Sequence, residues 1–583
     1  QAQLSVRGKS AVLRARPARG LGRAAMQSLW AARAGAKRGT CRGAVLWADI
    51  MPLRSMQRSK HSLPEWATVD PDAMCGAAPA VGKNLVGGRW TDARQTIDVI
   101  DPLNGEVMAK VPDTSSEEAS PFIERMRSCP RSGLHNPLKK PERYNMLGAA
   151  CAQGAAEMRK PEVQYFFARL IQRLTPKSWV QANGEPTITR KFLENYSCDN
   201  VRFLARSFGV PGDHVGQTST GIRMPYGGCG VVTPFNFPLE ICALQTLSGV
   251  FMGNQITCKV DEKVQLCMEQ FLRMMHHVGL PMTDVDLIYC RGPVMNKVLV
   301  DGNARMTLFT GSQNIAEKLC ADLRGRVKLE DAGFDWKILG PDPADIEYVV
   351  WQADQDAYAF GGQKCSAQSM LFVHENWSKA GVVEKLAEAA GKRNLQDLTA
   401  VPVLTWSTQR IMNHIEACLK IPGASLAFGG KPLTGHTIPE CYGAVEPTAV
   451  RVPIESLKDP QVFKTAITEL FGPFQVIVDW KEGQLSLVLE CLNAMENHLT
   501  AGIVSNDIHF LQEVLGNTIS GTTYAGLRAK TTAAPQQHWF GPSGDPRAGG
   551  IHTPEAIKLC WSSHREVIYD FGPVSKDWTA PQS

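Results

Sequence analysis

The chain has 583 residues, 44% apolar and 20% charged, which is the composition of a globular protein with about three or four folding units. No run of 18 apolar residues occurs, and the 16 scattered cysteines form no CxxC pair, which argues against a membrane span, a disulfide framework and a structural metal site. The net charge of +5 belongs to residues 1–60, which carry 13 Lys or Arg and one acid; the rest of the chain carries −7, which argues against a nucleic-acid-binding protein.

Residues 1–60 are rich in Ala, Arg and Ser and poor in acids. Organelle transit peptides have this composition. We therefore predict a leader over 1–60, and a disordered basic arm is the alternative.

The segment after the leader mixes a hairpin with helices. An Asn104-Gly105 pair between alternating apolar residues predicts a β-hairpin over 97–107. Apolar residues at helical spacing predict helices over 117–160, broken near Pro130 and Pro137, and over 161–175 and 188–208.

From residue 230, strands alternate with helices, which predicts a parallel sheet covered by helices on both faces. The predicted strands are 230–233, 255–260, 286–290, 306–310 and 326–330, and the predicted helices are 239–253, 263–277, 292–301 and 313–323. Because ligands bind at the carboxyl ends of such strands, we expect Asn236, Lys259 and Thr310-Gly311-Ser312 to lie at a binding site.

A second α/β block is predicted over 335–530. It holds a glycine-rich loop with Cys365 before the buried strand 370–373, a helix near 378–392, and strands at 448–452 and 475–478. In the tail, the sequence of residues 565–570 predicts an edge strand.

Three residues could together form a thiol-based catalytic site. A reactive thiol needs donors for the oxyanion it creates and a base to break the covalent intermediate. Cys365 is the candidate thiol, and Asn236, in a stiff Pro-Phe-Asn-Phe-Pro frame, is a candidate oxyanion donor together with the Cys365 backbone N–H. Glu330, near Phe334 and Trp336, is a candidate base whose pKa such apolar neighbours would raise. Taken singly, each residue also has an ordinary structural interpretation: a buried cysteine, a turn asparagine and a solvated glutamate.

A second group of residues could hold an anionic cofactor. The strand-to-helix junction at Gly311 and Ser312 presents free N–H groups. Lys259 and Glu262, just past a strand, could hold ribose hydroxyls, and Glu262 would repel a 2′-phosphate. The alternative for Lys259 and Glu262 is an ordinary exposed pair.

In order and spacing, these motifs resemble the aldehyde dehydrogenase superfamily over about 85–570. The motifs are Pro234-Phe235-Asn236-Phe237-Pro238, Lys259, Phe309-Thr310-Gly311-Ser312, Glu330, Gly362-Gln363-Lys364-Cys365 and Glu469-Leu470-Phe471-Gly472-Pro473. Longer passages are similar to the plant and algal type that acts on delta-1-pyrroline-5-carboxylate: 328–337, 362–370 and His538-Trp539-Phe540-Gly541-Pro542.

The resemblance implies an α/β fold with a Rossmann-like NAD-binding domain, an α/β catalytic domain and a small oligomerisation hairpin. The implied division is 61–329 for the N-terminal region and NAD-binding domain, with the hairpin near 205–225, 330–535 for the catalytic domain, and 536–583 for a substrate loop and oligomerisation tail.

The resemblance also implies roles for individual residues. Cys365 would attack the aldehyde, Asn236 would hold the oxyanion and Glu330 would activate water. NAD would be held by Thr233, Pro234, Phe235, Lys259, Glu262, Gly311, Ser312, Glu469 and Phe471. The substrate carboxylate would be bound by Ser366, Gly541 and Ser543. This sequence has Phe360-Gly361-Gly362 before the nucleophile, where Cys-Ser-Gly is expected, and Glu330-Asp331-Ala332-Gly333 in place of the usual Glu-Leu-Gly-Gly.

The expected function is NAD-dependent oxidation of L-glutamate 5-semialdehyde to L-glutamate in the mitochondrial matrix. The expected partners are a small-molecule substrate and further copies of the chain, with no nucleic acid and no membrane span. The alternatives are another semialdehyde dehydrogenase and a non-catalytic scaffold of the same fold. Glu330 counts against a CoA-acylating enzyme, which usually lacks the base.

Overall fold

Two seven-stranded sheets organise the residues that the computed structural model describes, which are 62–331, 333–496, 498–532 and 540–583. The predicted leader lies outside the described residues. Among the described residues, no helix is both long and apolar enough to cross a bilayer.

The strands before residue 331 belong to three sheets. They are β1 (Ala80–Val81), β2 (Asn84–Val86), β3 (Arg89–Thr91), β4 (Thr96–Ile100), β5 (Val107–Pro112), β6 (Gly209–Pro211), β7 (Gln217–Pro225), β8 (Gly228–Thr233), β9 (Gln255–Val260), β10 (Val285–Leu287), β11 (Thr307–Thr310) and β12 (Val327–Glu330). The first large sheet has the order β12-β11-β8-β9-β10-β2-β3. Its first five strands are parallel, and β2 and β3 add an antiparallel hairpin. The predicted parallel sheet and the predicted hairpin, which is β4 with β5, are confirmed.

Helices of the first half pack against this sheet. They are α1 (Ser120–Ser128), α2 (Arg143–Met158), α3 (Pro161–Leu174), α4 (Trp179–Asn195), α5 (Glu240–Phe251), α6 (Leu266–His277), α7 (Gly292–Asp301) and α8 (Gln313–Asp322). The largest apolar core lies where α2 to α6 cover the sheet.

The second large sheet is built from the second half of the chain. Its strands are β13 (Asp335–Leu339), β14 (Gln368–His374), β15 (Ser425–Phe428), β16 (Thr448–Arg451), β17 (Phe474–Trp480), β18 (Thr500–Val504) and β19 (Thr522–Ala525). Their order is β15-β16-β17-β14-β13-β18-β19, and all neighbours are parallel except β15 with β16.

The helices of the second half are α9 (Ile346–Tyr358), α10 (Glu375–Lys379), α11 (Val382–Ala390), α12 (Thr408–Leu419), α13 (Pro460–Ala466), α14 (Leu485–Ala494), α15 (Ile508–Gly516) and α16 (Pro554–Trp561). Helices α12, α14 and α15 bury apolar residues against this sheet. The predicted edge strand in the tail is confirmed as β20 (Ser562–Asp570), which pairs antiparallel with β7 in the small sheet β20-β7-β6.

The two large sheets meet end to end. Strand β12 ends at Glu330 and β13 begins at Asp335, so that only residues 331–334 join them. The carboxyl edge of the first sheet therefore faces the amino edge of the second sheet, where Cys365 precedes β14. The division into domains stays a prediction.

Two predicted helices have wrong bounds. The helix predicted over 188–208 begins at Trp179, where the Ser178 hydroxyl accepts a hydrogen bond from the Gln181 N–H, and runs through Pro186 to Asn195. Cys198, with φ of 51°, takes a left-handed conformation at the start of a 3-10 helix, Cys198–Ala205, which replaces the rest of the predicted helix. The helix predicted near 378–392 is two helices, α10 and α11, divided at Ala380 and Gly381.

Candidate active site

The loop after β8 places Asn236 at the carboxyl edge of the first sheet. The Asn236 side chain is 1% exposed, and its Oδ1 has no hydrogen-bond partner in the described structure. Its backbone carbonyl accepts a hydrogen bond from Lys177 Nζ at 2.8 Å. Buried polar atoms are normally paired, so an amide held by its backbone but left open at its side chain is available to a ligand.

Glu330 lies on the neighbouring part of this edge, as the last residue of β12. Its side chain is 4% exposed, and Oε1 has no partner within the described residues. Burial raises the pKa of Glu330 to about 7, contact with the Cys365 thiol opposes this rise, and the charge of Asp331 adds to it. A carboxyl group with this pKa can both accept and release a proton near neutral pH.

The turn before the nucleophile has an unusual backbone. A 3-10 segment, Ala359–Gly362, holds Phe360, Gly361 and Gly362 at φ of 57°, 60° and 68°. A Cβ on Gly362 would lie 2.1 Å from the carbonyl oxygen of Gly472, so that only glycine fits there. A left-handed phenylalanine is strained, and such strain persists only where its surroundings hold it.

Cys365 follows this turn and faces Glu330. Burial is the largest cause that raises the pKa of the Cys365 thiol well above its usual range, followed by the charge of Glu330 and a hydrogen bond with it. The nucleophile and base segments touch, because a Cβ on Gly333 would lie 2.3 Å from the Cys365 carbonyl oxygen. Within the described residues, the Cys365 N–H donates to no acceptor. The structure thus places the Cys365 thiol next to a carboxyl group whose pKa is near neutral, with a Cys365 N–H that donates to no acceptor within the described residues.

A small pocket beside the thiol contains the predicted residues Glu469 and Phe471. Its lining is Phe334, Gly362, Lys364, Ala367, Ser369, Thr468, Glu469, Leu470, Phe471, Gly472 and Phe474. Burial raises the pKa of Glu469 to about 8, and the backbone amide of Gly333 opposes this. The Phe471 ring packs edge-to-face on Phe235, with centroids 6.0 Å apart.

The remaining predicted cofactor residues follow the carboxyl edge away from the thiol. Lys259 Nζ lies 3.0 Å from Glu262 Oε2, and Arg291 Nη1 lies 3.3 Å from Glu262 Oε1. Thr233 Oγ1 is buried without a partner in the described structure. Ser312 is exposed at the position just before α8, and its side chain does not cap the helix. An open hydroxyl, a carboxylate and a free helix N-terminus fit the donors and acceptors of a dinucleotide.

The model of the aldehyde dehydrogenase family matches residues 90–553 of this chain. The chain belongs to the aldehyde dehydrogenase family. It is 56% identical over 530 residues to a mitochondrial delta-1-pyrroline-5-carboxylate dehydrogenase of Arabidopsis thaliana, covering 91% of this chain and 95% of the relative. It is 25% identical over 504 residues to 1-pyrroline-5-carboxylate dehydrogenase 2 of Bacillus subtilis (strain 168), covering 82% and 92%.

The fold agrees with this membership. The crystal structure of an NAD-dependent aldehyde dehydrogenase from Sinorhizobium meliloti has a TM-score of 0.73 and 20% identity, covering 86% of this chain and 97% of that chain. The expected family and fold class are confirmed.

The predicted substrate residues of this aldehyde dehydrogenase lie on two segments. Ser366 is buried beside Cys365. Gly541 and Ser543 lie in the 540–551 loop, where the Ser543 N–H donates to the His498 carbonyl at 3.1 Å. The Gly541 backbone approaches residues 521, 549 and 550, and Ser543 pairs with residue 498; within the described residues neither of them contacts Cys365. Their role stays a prediction.

Part of that loop extends the strand that carries the base. The Leu329 N–H donates to the Arg547 carbonyl at 2.9 Å, and the Gly549 N–H donates to the Leu329 carbonyl at 2.8 Å. The loop therefore covers the outer edge of β12 next to Glu330.

Sequence reasoning missed several residues of the site. Gly333 stands inside a motif that the sequence analysis quoted, but its close approach to Cys365 depends on tertiary structure. Lys177 and Glu185 were also missed. Both are buried, yet they lie more than 50 residues before Asn236, between the two helices predicted over 161–175 and 188–208, and no sequence signal marks them.

Proposed function

We propose that this chain is an NAD-dependent dehydrogenase that oxidises L-glutamate 5-semialdehyde, the open form of delta-1-pyrroline-5-carboxylate, to L-glutamate in proline catabolism. The observation that carries the proposal is that the Cys365 segment closely approaches the segment after Glu330, whose Oε1 has no hydrogen-bond partner within the described residues. Family membership and the similarity to the Arabidopsis enzyme support the substrate.

The first step is attack of Cys365 sulfur on the aldehyde carbon. The thiol is protonated in the resting site, because burial and Glu330 raise its pKa. Glu330 is positioned to accept the thiol proton as the carbon–sulfur bond forms. The carbonyl oxygen becomes an oxyanion, and the side chain of Asn236 and the N–H of Cys365 donate hydrogen bonds to it.

The resulting thiohemiacetal loses a hydride and becomes a thioester of Cys365. Bound NAD would supply the hydride acceptor for this step. Glu469, Phe471, Lys259 and Glu262 would hold its riboses, and the first turn of α8 would face its phosphates.

Hydrolysis completes the cycle. Glu330 first releases the thiol proton to solvent and so becomes a base again. It then removes a proton from water, the hydroxide attacks the thioester carbon, and the carbon–sulfur bond breaks to give the acid and a Cys365 thiolate, which takes its proton back from Glu330. With a pKa of about 7, Glu330 loses its ionised form progressively as the pH falls through 7, so we expect acid release to slow below neutral pH.

Substrate choice would come from the carboxylate at the far end of the semialdehyde. Ser366 supplies a hydroxyl beside the nucleophile, and the 540–551 loop supplies Gly541 and Ser543. Ser366→Ala should raise KM for the acidic substrate much more than for propanal, which has no carboxylate to lose contact with.

The test is NADH absorbance after the purified protein is mixed with NAD and pyrroline-5-carboxylate. Propanal is the second substrate, and Cys365→Ala is compared with Cys441→Ala, which removes an exposed cysteine elsewhere. Absorbance that rises in the wild type and Cys441→Ala but not in Cys365→Ala, and faster with the acidic substrate, supports the proposal. A preference for another semialdehyde favours the alternative enzyme, and no signal with any aldehyde favours the non-catalytic scaffold.

We also propose that the protein acts in the mitochondrial matrix as a homo-oligomer. The basic, acid-poor leader and the mitochondrial relative support the location. The sheet of β6, β7 and β20 supports the assembly, because Ile568 and Tyr569 on β20 and Phe571 directly after it leave large apolar side chains exposed. Light scattering should give a mass of at least two chains, and Ile568→Glu with Phe571→Glu should reduce it.

A further inference from the structure

A buried lysine contacts both the Asn236 loop and the turn before Cys365. Lys177, between α3 and α4, is 1% exposed. Its Nζ donates to the Asn236 carbonyl at 2.8 Å and lies 4.0 Å from the centroid of the Phe360 ring. The same cation therefore contacts the loop of the predicted oxyanion donor and the strained turn before Cys365.

Glu185 completes this arrangement. It is 1% exposed, and its Oε1 lies 2.8 Å from Lys177 Nζ. Its Oε2 accepts hydrogen bonds from the N–H groups of Leu239 at 3.1 Å and Glu240 at 3.4 Å, at the start of α5. Lys177 and Glu185 thus hold the backbone of 236–240 at both ends.

Packing alone gives no reason for this pair. Desolvation of two charges costs about as much as their attraction returns, and apolar residues of similar size would serve a core at least as well. The contacts of this pair are instead concentrated on backbone groups of the Asn236 loop and on Phe360. Phe360 has φ of 57°, which needs support from its surroundings.

We propose that Lys177 and Glu185 are a positioning pair that keeps the Asn236 amide aligned with the Cys365 sulfur. The proposal rests on the proposed dehydrogenase function. Since Oδ1 of Asn236 has no protein partner within the described residues, the direction of its amide depends on the backbone that Lys177 and Glu185 hold. A misplacement of about 1 Å can cost on the order of 100-fold in rate.

The test is a double-mutant cycle between Lys177→Met and Asn236→Ala, read as kcat and as KM for NAD. Lys337→Met is the matched control, because Lys337, on β13, is also fully buried and its Nζ lies 2.7 Å from Asp356 on α9. Both lysine variants lose a cation and leave a buried carboxylate, but only Lys177 contacts the Asn236 loop.

If Lys177 positions Asn236, Lys177→Met lowers kcat about 100-fold when Asn236 is present and by at most about twofold in Asn236→Ala. KM for NAD stays unchanged. Lys337→Met changes kcat by the same factor in both backgrounds. Equal factors for Lys177→Met in both backgrounds would overturn the proposal, because a purely structural role does not depend on Asn236.

Glu185→Gln provides the same cycle if Lys177→Met does not fold. Glutamine is nearly isosteric with glutamate, but its N–H₂ group is a donor. It would face either the Lys177 ammonium or the Leu239 N–H, which are donors too. A loss of kcat that vanishes in Asn236→Ala supports the pair, and a loss that persists overturns it. If the wild-type protein forms no NADH, both the proposed function and the positioning role are refuted. If the wild type is active but the variant lowers kcat by the same factor with and without Asn236, only the positioning role is refuted.

Discussion

Replacing Glu330 with glutamine should stabilise the protein, and the gain should depend on pH. Glu330 is 4% exposed, and burial raises its pKa from 4.5 to about 7. A carboxyl group whose pKa is higher in the folded than in the unfolded state favours folding when protonated. That favourable contribution is complete below pH 4.5 and is lost as the pH rises through 7. Glutamine stays neutral and does not incur this loss.

The size of the effect follows from the two pKa values. One pKa unit corresponds to about 1.4 kcal/mol, so the rise from 4.5 to about 7 makes ionised Glu330 cost about 3 kcal/mol at pH 8. At pH 5.5, which is one unit above the pKa of 4.5 in the unfolded state, ionised Glu330 costs about 1 kcal/mol of stability. Glu330→Gln should therefore raise the free energy of unfolding more at pH 8 than at pH 5.5, while it abolishes thioester hydrolysis.

The assay is thermal unfolding of the wild type and Glu330→Gln at pH 5.5 and pH 8, followed by circular dichroism. Glu317→Gln is the control, since Glu317 is an exposed glutamate whose pKa is lowered by its hydrogen bonds with Arg547. Its replacement should not stabilise the protein at pH 8. A Glu330→Gln gain in Tm that is equal at both pH values, or a loss at pH 8, would show that Glu330 is not held in an unfavourable charged state.

Three further predictions concern neighbouring groups. Glu330→Gln should shift the pH midpoint of Cys365 alkylation by iodoacetamide to lower pH, because Glu330 raises the thiol pKa; an unchanged midpoint would contradict the contact. Gly333→Ala should lower kcat on the order of 100-fold, since its Cβ would lie 2.3 Å from the Cys365 carbonyl oxygen, whereas Gly184→Ala, with nothing within 4 Å, should not. Glu262→Ala should raise kcat/KM for NADP about tenfold, measured as NADPH absorbance, by removing a carboxylate that repels a 2′-phosphate; no rise would place Glu262 away from the ribose.

The sequence predicts those parts of the fold that local patterns encode. The strands that end at Thr233, Thr310 and Glu330 are short apolar runs followed by turn residues, and the structure has them within two residues of the predicted bounds. The helix predicted over 188–208 fails at both ends. Proline near its start favours a later beginning, but the packing of Ala182, Glu185 and Thr189 against the core outweighs that local preference.

The parts of the site that could not be predicted depend on distant contacts. The side chains of Asn236, Glu330 and Cys365 are an amide, a carboxyl group and a thiol. Their chemistry could be recognised from the residue type alone. Lys177 contributes through a backbone carbonyl 59 residues away, and Gly333 contributes by having no side chain. The pairing of Leu329 with Arg547 and Gly549 is likewise encoded in no local pattern.

The pairing of β7 with β20 has a consequence for synthesis. Hydrogen-bonded side chains on these two strands are 339 to 353 residues apart in the chain. At about 5 to 20 residues per second, a ribosome makes β7 roughly 20 to 70 seconds before its partner exists. During this interval an edge of β7 is open to strands of other nascent chains. The first half of β7 has the sequence Gln217-Thr218-Ser219-Thr220-Gly221. A polar, glycine-containing sequence of this kind is a poor template for aggregation. The first half of β7 therefore exposes no apolar edge while the rest of the chain is translated.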